Sequence, residues 1–251
     1  MLSTEMPCPT TGSTLLKTPA SPSPNQNLLP LTAVINKNGE LEIGGCSVPA
    51  LVEQFGSPLY ILDETTLRQA AQQYRQSFQT HYPGSSQVIY ASKAWSCLAV
   101  VAIAAQEGLG FDVVSGGELF TTVEALKQLG WNDAEIASKI YFHGNNKSVQ
   151  ELQEAIDVNC TIIVDNWLEL ETLTKLAANS GAPVRIMLRL TPGIECHTHE
   201  YIKTGHLDSK FGFDPNQLEA VFTYIAQQSQ LHCLGLHAHI GSQIFERQPH
   251  K

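Results

Sequence analysis

The sequence predicts an α/β fold, namely a (β/α)8 barrel of the TIM type that is incomplete, with about six of its eight strands present. Short apolar runs alternate with helical segments from residue 87 onward, which is the pattern of βαβ units. The apolar runs are continuous, as in strands that are buried on both faces of a parallel sheet. Polar residues follow one strand after another, and a barrel collects its active site at the carboxyl ends of its strands.

The N-terminal residues precede this alternation. Residues 1–30 are rich in Ser, Thr and Pro and lack the apolar stretch of a secretory signal, so we expect a disordered extension. Short strands are predicted at 41–45 and 58–62, and a helix at 48–55 ends at Gly56.

The barrel is expected to occupy residues 63–251, and residues 31–62 lead into it. Asp63 is expected to cap a first helix that runs to about Tyr82. The six strands are apolar runs bounded by polar or turn residues, and we predict them at 87–94, 111–115, 139–144, 161–166, 184–190 and 231–240. Helices are predicted after five of them, at 96–106, at 117–129, from 148 onward, from the end of the fourth strand to about 179, and at 214–229.

Three of these helices begin with capping signals. Ser148 and Glu151 are spaced as a capping box, and so are Asn166 and Glu169. Asp214 stands before a proline, which favours the first position of a helix. The signals support a helix after each of three predicted strands.

A doubly wound sheet is the alternative for strands that alternate with helices. No strand is followed by GxGxxG or GxxxxGK[ST], which removes the commonest reason to expect that fold. The polar residues at the strand ends favour the barrel, and they are Lys93, Asp112, Ser115, His143, Asp165, Arg189 and His239.

The number of strands predicts a truncated protein. The sixth strand is followed closely by Lys251, and an open barrel of six strands would leave two bare sheet edges. We therefore expect a C-terminal truncation, and a chain that is inactive on its own.

Composition narrows the class of protein. The formal net charge of −9 gives no basic surface for nucleic acid or membranes. The longest apolar run, Leu98–Ala105, is far shorter than the roughly 20 residues of a membrane span. The cysteines lack zinc-finger spacing and indicate a reduced environment. We expect a cytoplasmic protein that acts on a small molecule.

Lys93 is the candidate nucleophile at the end of the first barrel strand. Partial desolvation makes a lysine amine nucleophilic, as Schiff-base chemistry with a carbonyl cofactor requires. Judged by position alone, a lysine that extends its amine from a strand end into solvent is the commoner case.

The surrounding sequence identifies a family. The segment 90–95 (YASKAW), followed by Val100, Val101 and Gly108, resembles the cofactor-lysine signature of the fold-type III pyridoxal-phosphate-dependent decarboxylases. Three more blocks are similar to that family in the same order: GFDVVSGGE at 110–118, HGNNKS at 143–148 and HAHIGSQ at 237–243. The resemblance extends from about Leu31 to Lys251.

The resemblance implies two catalytic residues. Lys93 would bind pyridoxal 5'-phosphate covalently, and His239 would stack on the pyridine ring. It also implies that Arg189 lines the cofactor edge and that Gly241 and Ser242 bind the phosphate. Asp112, also a cofactor-binding residue, and Glu118 would support the site.

One block points to the substrate. Residues 191–212 resemble the diaminopimelate-specific members of the family, which implies decarboxylation of meso-2,6-diaminopimelate to L-lysine and CO2. His197 and His199 could be read as a metal pair, but no third ligand is nearby and we expect no metal. Another basic amino-acid decarboxylase and a non-catalytic cofactor-binding homologue remain alternatives.

The resemblance also implies partners and missing parts. The family's later phosphate loop, the glutamate at the pyridine nitrogen and the site-completing Cys and Tyr would all lie beyond Lys251. Because that Cys comes from the second subunit, a homodimer with a shared active site is implied. Residues 31–62 would belong to a β-domain that is otherwise missing.

Overall fold

The structure is a computed structural model that describes residues 28–192 and 210–241. Its contacts divide the chain into two compact units, Met1–Ser86 and Gln87–Lys251, and each is described by itself. The predicted N-terminal extension up to residue 27 lies outside the described residues, as do Ser242 and most of the 191–212 block. The predicted domain limits at residues 30 and 62 stay a prediction.

The N-terminal unit contains a small antiparallel sheet in the order β1-β2-β3. Asp63 caps the second helix as predicted, since its side chain accepts a hydrogen bond from the backbone N–H of Thr66 at 3.1 Å. The elements are β1 (Val34–Ile35), β2 (Leu41–Ile43), β3 (Cys46–Ser47), α1 (Val48–Phe55) and α2 (Glu64–His81).

The predicted strand at 58–62 is wrong. These residues belong to no strand, and Tyr60 in their centre is 92% exposed. An apolar run becomes a strand only when a neighbouring strand pairs with its backbone, and local sequence does not encode that partner.

The second unit contains six parallel strands in the order β4-β5-β6-β7-β8-β9, as the sequence predicted. The order never reverses, whereas a doubly wound sheet reverses at its switch point, so the winding is that of a barrel. The strands are β4 (Ile89–Ala91), β5 (Gly110–Val113), β6 (Ile140–Phe142), β7 (Thr161–Val164), β8 (Val184–Leu190) and β9 (Leu231–Ala238). The helices are α3 (Leu98–Gln106), α4 (Gly116–Gln128), α5 (Asp133–Lys139), α6 (Val149–Val158), α7 (Trp167–Ala177) and α8 (Leu218–Ala226).

Burial differs between the middle and the edge of this sheet. All four residues of β7 are buried, which explains its continuous apolar sequence. In β9 burial alternates, and Leu234 and Leu236 are 48% and 43% exposed. The core of the unit therefore lies around the central strands. Among the described helices, none is long and apolar enough to cross a membrane.

In the second unit, helix α5 and the turn after β4 differ from the sequence prediction. Helix α5 was missed, although Asn132 and Glu135 form a capping box at its start. Strand β4 ends at Ala91, and Ser92–Ala94 form a single 3-10 turn instead of the predicted strand end. Both errors concern the connection between a strand and a helix, where local periodicity is weakest.

First-turn glutamates tie two helices to the preceding strands. Glu169 accepts a hydrogen bond from the N–H of Asp165 at 3.2 Å. In the predicted capping box it would accept from the N–H of Asn166, so that half of the prediction is wrong. The side chain of Asn166 still caps the N–H of Glu169 at 3.0 Å. Glu118 likewise accepts from the N–H of Val114 at 2.9 Å. These bonds fix the backbone where β7 and β5 end.

Candidate active site

Lys93 lies in the turn that follows β4. The hydroxyl of Tyr90 donates a hydrogen bond to the carbonyl of Trp95 at 3.0 Å and thereby spans this turn. The Lys93 side chain is exposed, so its expected desolvation among apolar neighbours is not seen. Lys93 lies in the 3-10 turn Ser92–Ala94 and not at the end of β4. Because the side chain is exposed, a ligand can reach its amine.

Asp112 in β5 and His143 after β6 form a close pair. Nε2 of His143 lies 2.6 Å from Oδ1 of Asp112, the distance of a charge-assisted contact. Neither atom has another hydrogen-bond partner among the described residues. The N–H of His143 donates to the carbonyl of Val113 at 2.9 Å, which places the imidazole beside β5.

The ring of His143 also reaches across the inside of the sheet. Its centroid lies 5.6 Å from that of His237 in β9. Strands β6 and β9 are separated by β7 and β8, and three strand spacings in a flat sheet would be about 14 Å. The contact therefore reflects strong curvature, which gathers side chains from distant strands at one place.

Asp165 and Arg189 form a buried ion pair at the ends of β7 and β8. Nη1 of Arg189 donates to Oδ1 of Asp165 at 3.2 Å. The second carboxylate oxygen accepts from the N–H of Gly212 at 3.1 Å. The guanidinium carbon lies 4.3 Å from the ring centroid of Phe211. Burial lowers the pKa of Arg189, and Asp165 opposes that shift.

His237 and His239 share one electrostatic environment. Burial lowers the pKa of each imidazole to about 4. The charge of Lys93 adds to the shift of His239, and the charge of Arg189 adds to both. His239 is therefore neutral at pH 7, and its flat uncharged ring can pack against an aromatic ligand.

The remaining predicted site residues are Gly241, Ser242 and Glu118. Gly241 has a φ of 129°, a conformation that favours glycine. Ser242 lies outside the described residues. The Glu118 carboxylate holds the backbone of Val114, which agrees with a supporting position.

The structure thus brings several strand-end residues together. The pKa of the His239 imidazole is influenced by the charges of four of them, namely Lys93, Arg189, His143 and Asp112. Sequence reasoning noted His143 and Asp165 as polar strand ends but gave them no role, and it missed His237 and Phe211. The contacts of His143 and Asp165 depend on the curvature of the sheet and on a long connection, and no local pattern reveals either.

These residues fit pyridoxal phosphate. Its aldehyde requires an accessible amine, which Lys93 supplies, and its negative charge suits a site that contains Lys93 and Arg189. The buried Nδ1 atoms of His143 and His237 have no hydrogen-bond partner among the described residues, so polar capacity remains for a ligand or water.

Comparisons with known proteins agree with this fit. Residues 64–251 match the family described as "Pyridoxal-dependent decarboxylase, pyridoxal binding domain". A diaminopimelate decarboxylase of Synechocystis sp. is 95% identical over 251 residues, which is 100% of this chain and 54% of the relative. The Bacillus subtilis diaminopimelate decarboxylase is 45% identical over 84% of this chain and 47% of its own length.

Solved structures give the same fold. A crystal structure of diaminopimelate decarboxylase from M. jannaschii in complex with L-lysine has a TM-score of 0.76 and 30% identity, over 88% of this chain and 50% of that one. The chain spans about half the length of the curated relatives it matches.

Proposed function

The chain belongs to the pyridoxal-dependent decarboxylase family, and from that premise we propose that it takes part in decarboxylating meso-2,6-diaminopimelate to L-lysine and CO2 with pyridoxal 5'-phosphate as cofactor. The observation that carries this proposal is the 95% identity to the Synechocystis diaminopimelate decarboxylase over the whole chain. Bound pyridoxal phosphate would supply an electron sink for the electron pair that departing CO2 leaves on carbon, and a proton would then bond to that carbon.

Lys93 is the residue that we propose to hold the cofactor. Its exposed amine stands on the turn after β4, where Tyr90 bonds to the carbonyl of Trp95. A fixed turn limits the positions that the amine can take, and this orientation lowers the entropic cost of forming a covalent link.

His239 and the polar strand ends are proposed to orient the bound cofactor. A neutral His239 would stack on the cofactor ring, Arg189 would line the cofactor, and Asp112 would support the site. Gly241 and Ser242 are proposed to bind the phosphate through the N–H of Gly241 and the Ser242 hydroxyl. These residues would hold the cofactor and the substrate in the orientation that breaking the carboxylate bond requires.

The quaternary state and location also remain proposals. We propose a homodimer with a shared active site and a cytoplasmic protein, as the family resemblance implies. Residues 31–62 are proposed to contribute to a β-domain and to the barrel entry, and residues 1–30 to be an N-terminal extension.

The experiment that tests the function compares substrates. The protein is expressed from its complete reading frame and loaded with pyridoxal phosphate, and CO2 release is measured from meso-diaminopimelate, ornithine, lysine and arginine side by side. We expect a strong preference for diaminopimelate. A preference for one of the other three would assign a different basic amino-acid decarboxylase. Cofactor binding without CO2 release from any of them would assign a non-catalytic homologue.

A further inference from the structure

Asp165 holds two parts of the candidate site with one carboxylate. Oδ1 accepts from Nη1 of Arg189 at 3.2 Å, and Oδ2 accepts from the N–H of Gly212 at 3.1 Å. The residue is 1% exposed, and its own N–H is bound by Glu169 of α7. A buried carboxylate that is held at the backbone and bonded at both oxygens has little freedom to move.

The Gly212 contact lies at the base of a long connection. The chain leaves β8 at Leu190, and Phe213 returns to pair with that residue as an isolated parallel bridge. The N–H of Thr191 donates to the carbonyl of Phe213 at 3.0 Å, and the N–H of Phe213 donates to the carbonyl of Arg189 at 2.7 Å. Asp165 therefore fastens the returning end of the block that resembles diaminopimelate-specific relatives.

Close packing makes this base rigid. Gly212 has a φ of 79°, and an added Cβ would lie 2.9 Å from the carbonyl oxygen of Arg189 and 2.9 Å from the hydroxyl oxygen of Thr191. The ring of Phe211 covers the Arg189 guanidinium. The backbone of residues 211–213 and the side chain of Arg189 thus constrain each other.

Asp165 also stabilises the charge of Arg189, because its carboxylate opposes the effect of burial on the guanidinium pKa. Asp112 acts on that pKa in the same direction, and it contacts His143 at the end of β5. Of these two carboxylates, Asp165 is the one with a described hydrogen bond to Arg189. The pairing of Asp165 with Arg189 leaves Asp112 to His143.

We propose that Asp165 is a positioning residue that fixes the Arg189 guanidinium at the cofactor edge and, through the same carboxylate, the Gly212 end of the substrate-associated block. The inference rests on the proposed function, because it takes Arg189 as a cofactor neighbour and diaminopimelate as the substrate. Asp165 acts through Arg189 and Gly212 and need not touch the reacting atoms.

A second buried ion pair provides a matched control. Nζ of Lys147 lies 2.7 Å from Oε1 of Glu169, and it donates to the carbonyls of Gly144 and Ile163 at 2.7 and 2.9 Å. This pair is as buried as the first and contacts neither Arg189 nor Gly212 among the described residues. Its Glu169 also accepts the hydrogen bond from the N–H of Asp165, and glutamine at that position keeps an oxygen that can accept it. Glu169→Gln and Asp165→Asn make the same chemical change, a carboxylate to an amide.

The experiment compares these two variants in the holoenzyme from the complete reading frame. Thermal unfolding, the cofactor dissociation constant, and kcat and KM for meso-diaminopimelate are measured. We expect both variants to melt at a lower temperature. Only Asp165→Asn should raise the KM and the cofactor dissociation constant, each by about tenfold or more, since a displacement of about 1 Å costs on the order of 10²-fold in an oriented site. Values for Asp165→Asn within about twofold of those for Glu169→Gln would overturn the proposal.

Two further arms keep the test decisive. If Asp165→Asn does not fold, Phe211→Leu removes the ring over Arg189 and leaves the carboxylate, and it should raise KM with little loss of stability. An unchanged KM in that variant would overturn the proposal. If the unmodified protein releases no CO2 from diaminopimelate, the proposed function fails, and the cofactor dissociation constant of the variants alone decides the role of Asp165.

Discussion

Asp112 and His143 stand on neighbouring strands with Oδ1 and Nε2 only 2.6 Å apart, and the imidazole also faces His237 across the sheet at 5.6 Å between ring centroids. This arrangement gives the Asp112 carboxylate a buried partner in the candidate site. It also links the end of β6 to β9, which is three strands away.

The first prediction concerns this pair. His143→Ala should lower kcat/KM by about 10- to 100-fold, because Asp112 loses the contact that sets its direction. His143→Gln, which keeps a side-chain donor, should recover part of the loss. Steady-state kinetics and cofactor absorbance check both variants. Exposed His232→Ala on β9 is the control, and an unchanged rate in His143→Ala would contradict a role for the pair.

The second prediction concerns Lys93. Lys93→Ala and Lys93→Arg should both abolish turnover, because neither side chain can form a covalent link with an aldehyde. Borohydride reduction of the loaded protein followed by peptide mapping should place the cofactor on Lys93. Lys127→Ala, which removes a lysine from the last turn of α4, should behave as the unmodified protein. Label on any other lysine would refute the assignment.

The sequence predicts a strand or a helix well where the residues that determine it are neighbours in the chain. Strand β8 was predicted with the observed limits at 184–190, because five of its seven residues are apolar and the run is short, as in a buried strand. The order of the six strands followed from the alternation with helices. Helix α5 was missed because its seven residues span only two turns between a glycine and a strand.

The contacts between residues of the candidate site were harder to predict from the sequence. Lys93, Arg189 and His239 were found from residue type, position and family resemblance. The bond from Gly212 to Asp165 joins residues 47 positions apart, so no periodic pattern contains it. The His143–His237 contact depends on sheet curvature, which accumulates over strands and is not specified by any one of them.

The third prediction is a pH effect from His239. Its pKa is lowered from 6.5 to about 4, mainly by burial. The unfolded state therefore binds a proton at a higher pH than the folded state does, and the stability present above pH 6.5 is lost as pH falls toward 4. His239→Gln cannot bind this proton, so the unmodified protein should lose stability relative to the variant across that interval.

Urea unfolding at several pH values between 7 and 4.5 measures the difference. His232→Gln serves as a matched control, because it removes an exposed histidine from β9. A constant stability difference between the unmodified protein and His239→Gln over the interval would contradict this assignment of the proton.

The fourth prediction concerns the buried Lys147–Glu169 pair. Lys147→Met should destabilise the fold by about 3–5 kcal/mol, since it leaves Glu169 buried without its cation. Burial already raises the pKa of Glu169. Lys147→Met combined with Glu169→Leu should recover much of the loss, because no uncompensated charge remains. Urea unfolding of the single and double variants checks the result, and equal stabilities would contradict it.

The last prediction concerns the exposed face of β9. Leu234 and Leu236 are 48% and 43% exposed on a strand whose only partner among the described strands is β8. An exposed apolar strand with a free edge promotes association between chains. We therefore expect residues 1–251, expressed alone, to aggregate and to release no CO2.

Substitution separates the contribution of this face from other causes of aggregation. Leu234→Lys with Leu236→Lys should increase the soluble fraction, because charges on an edge strand oppose pairing with another chain. Tyr60→Lys, at a highly exposed position outside any strand, is the control for added charge alone. Sedimentation, thermal unfolding and CO2 release are measured for each form. A soluble, cooperatively melting and active unmodified chain would show that β9 needs no further cover, because an aggregating edge could not coexist with that behaviour.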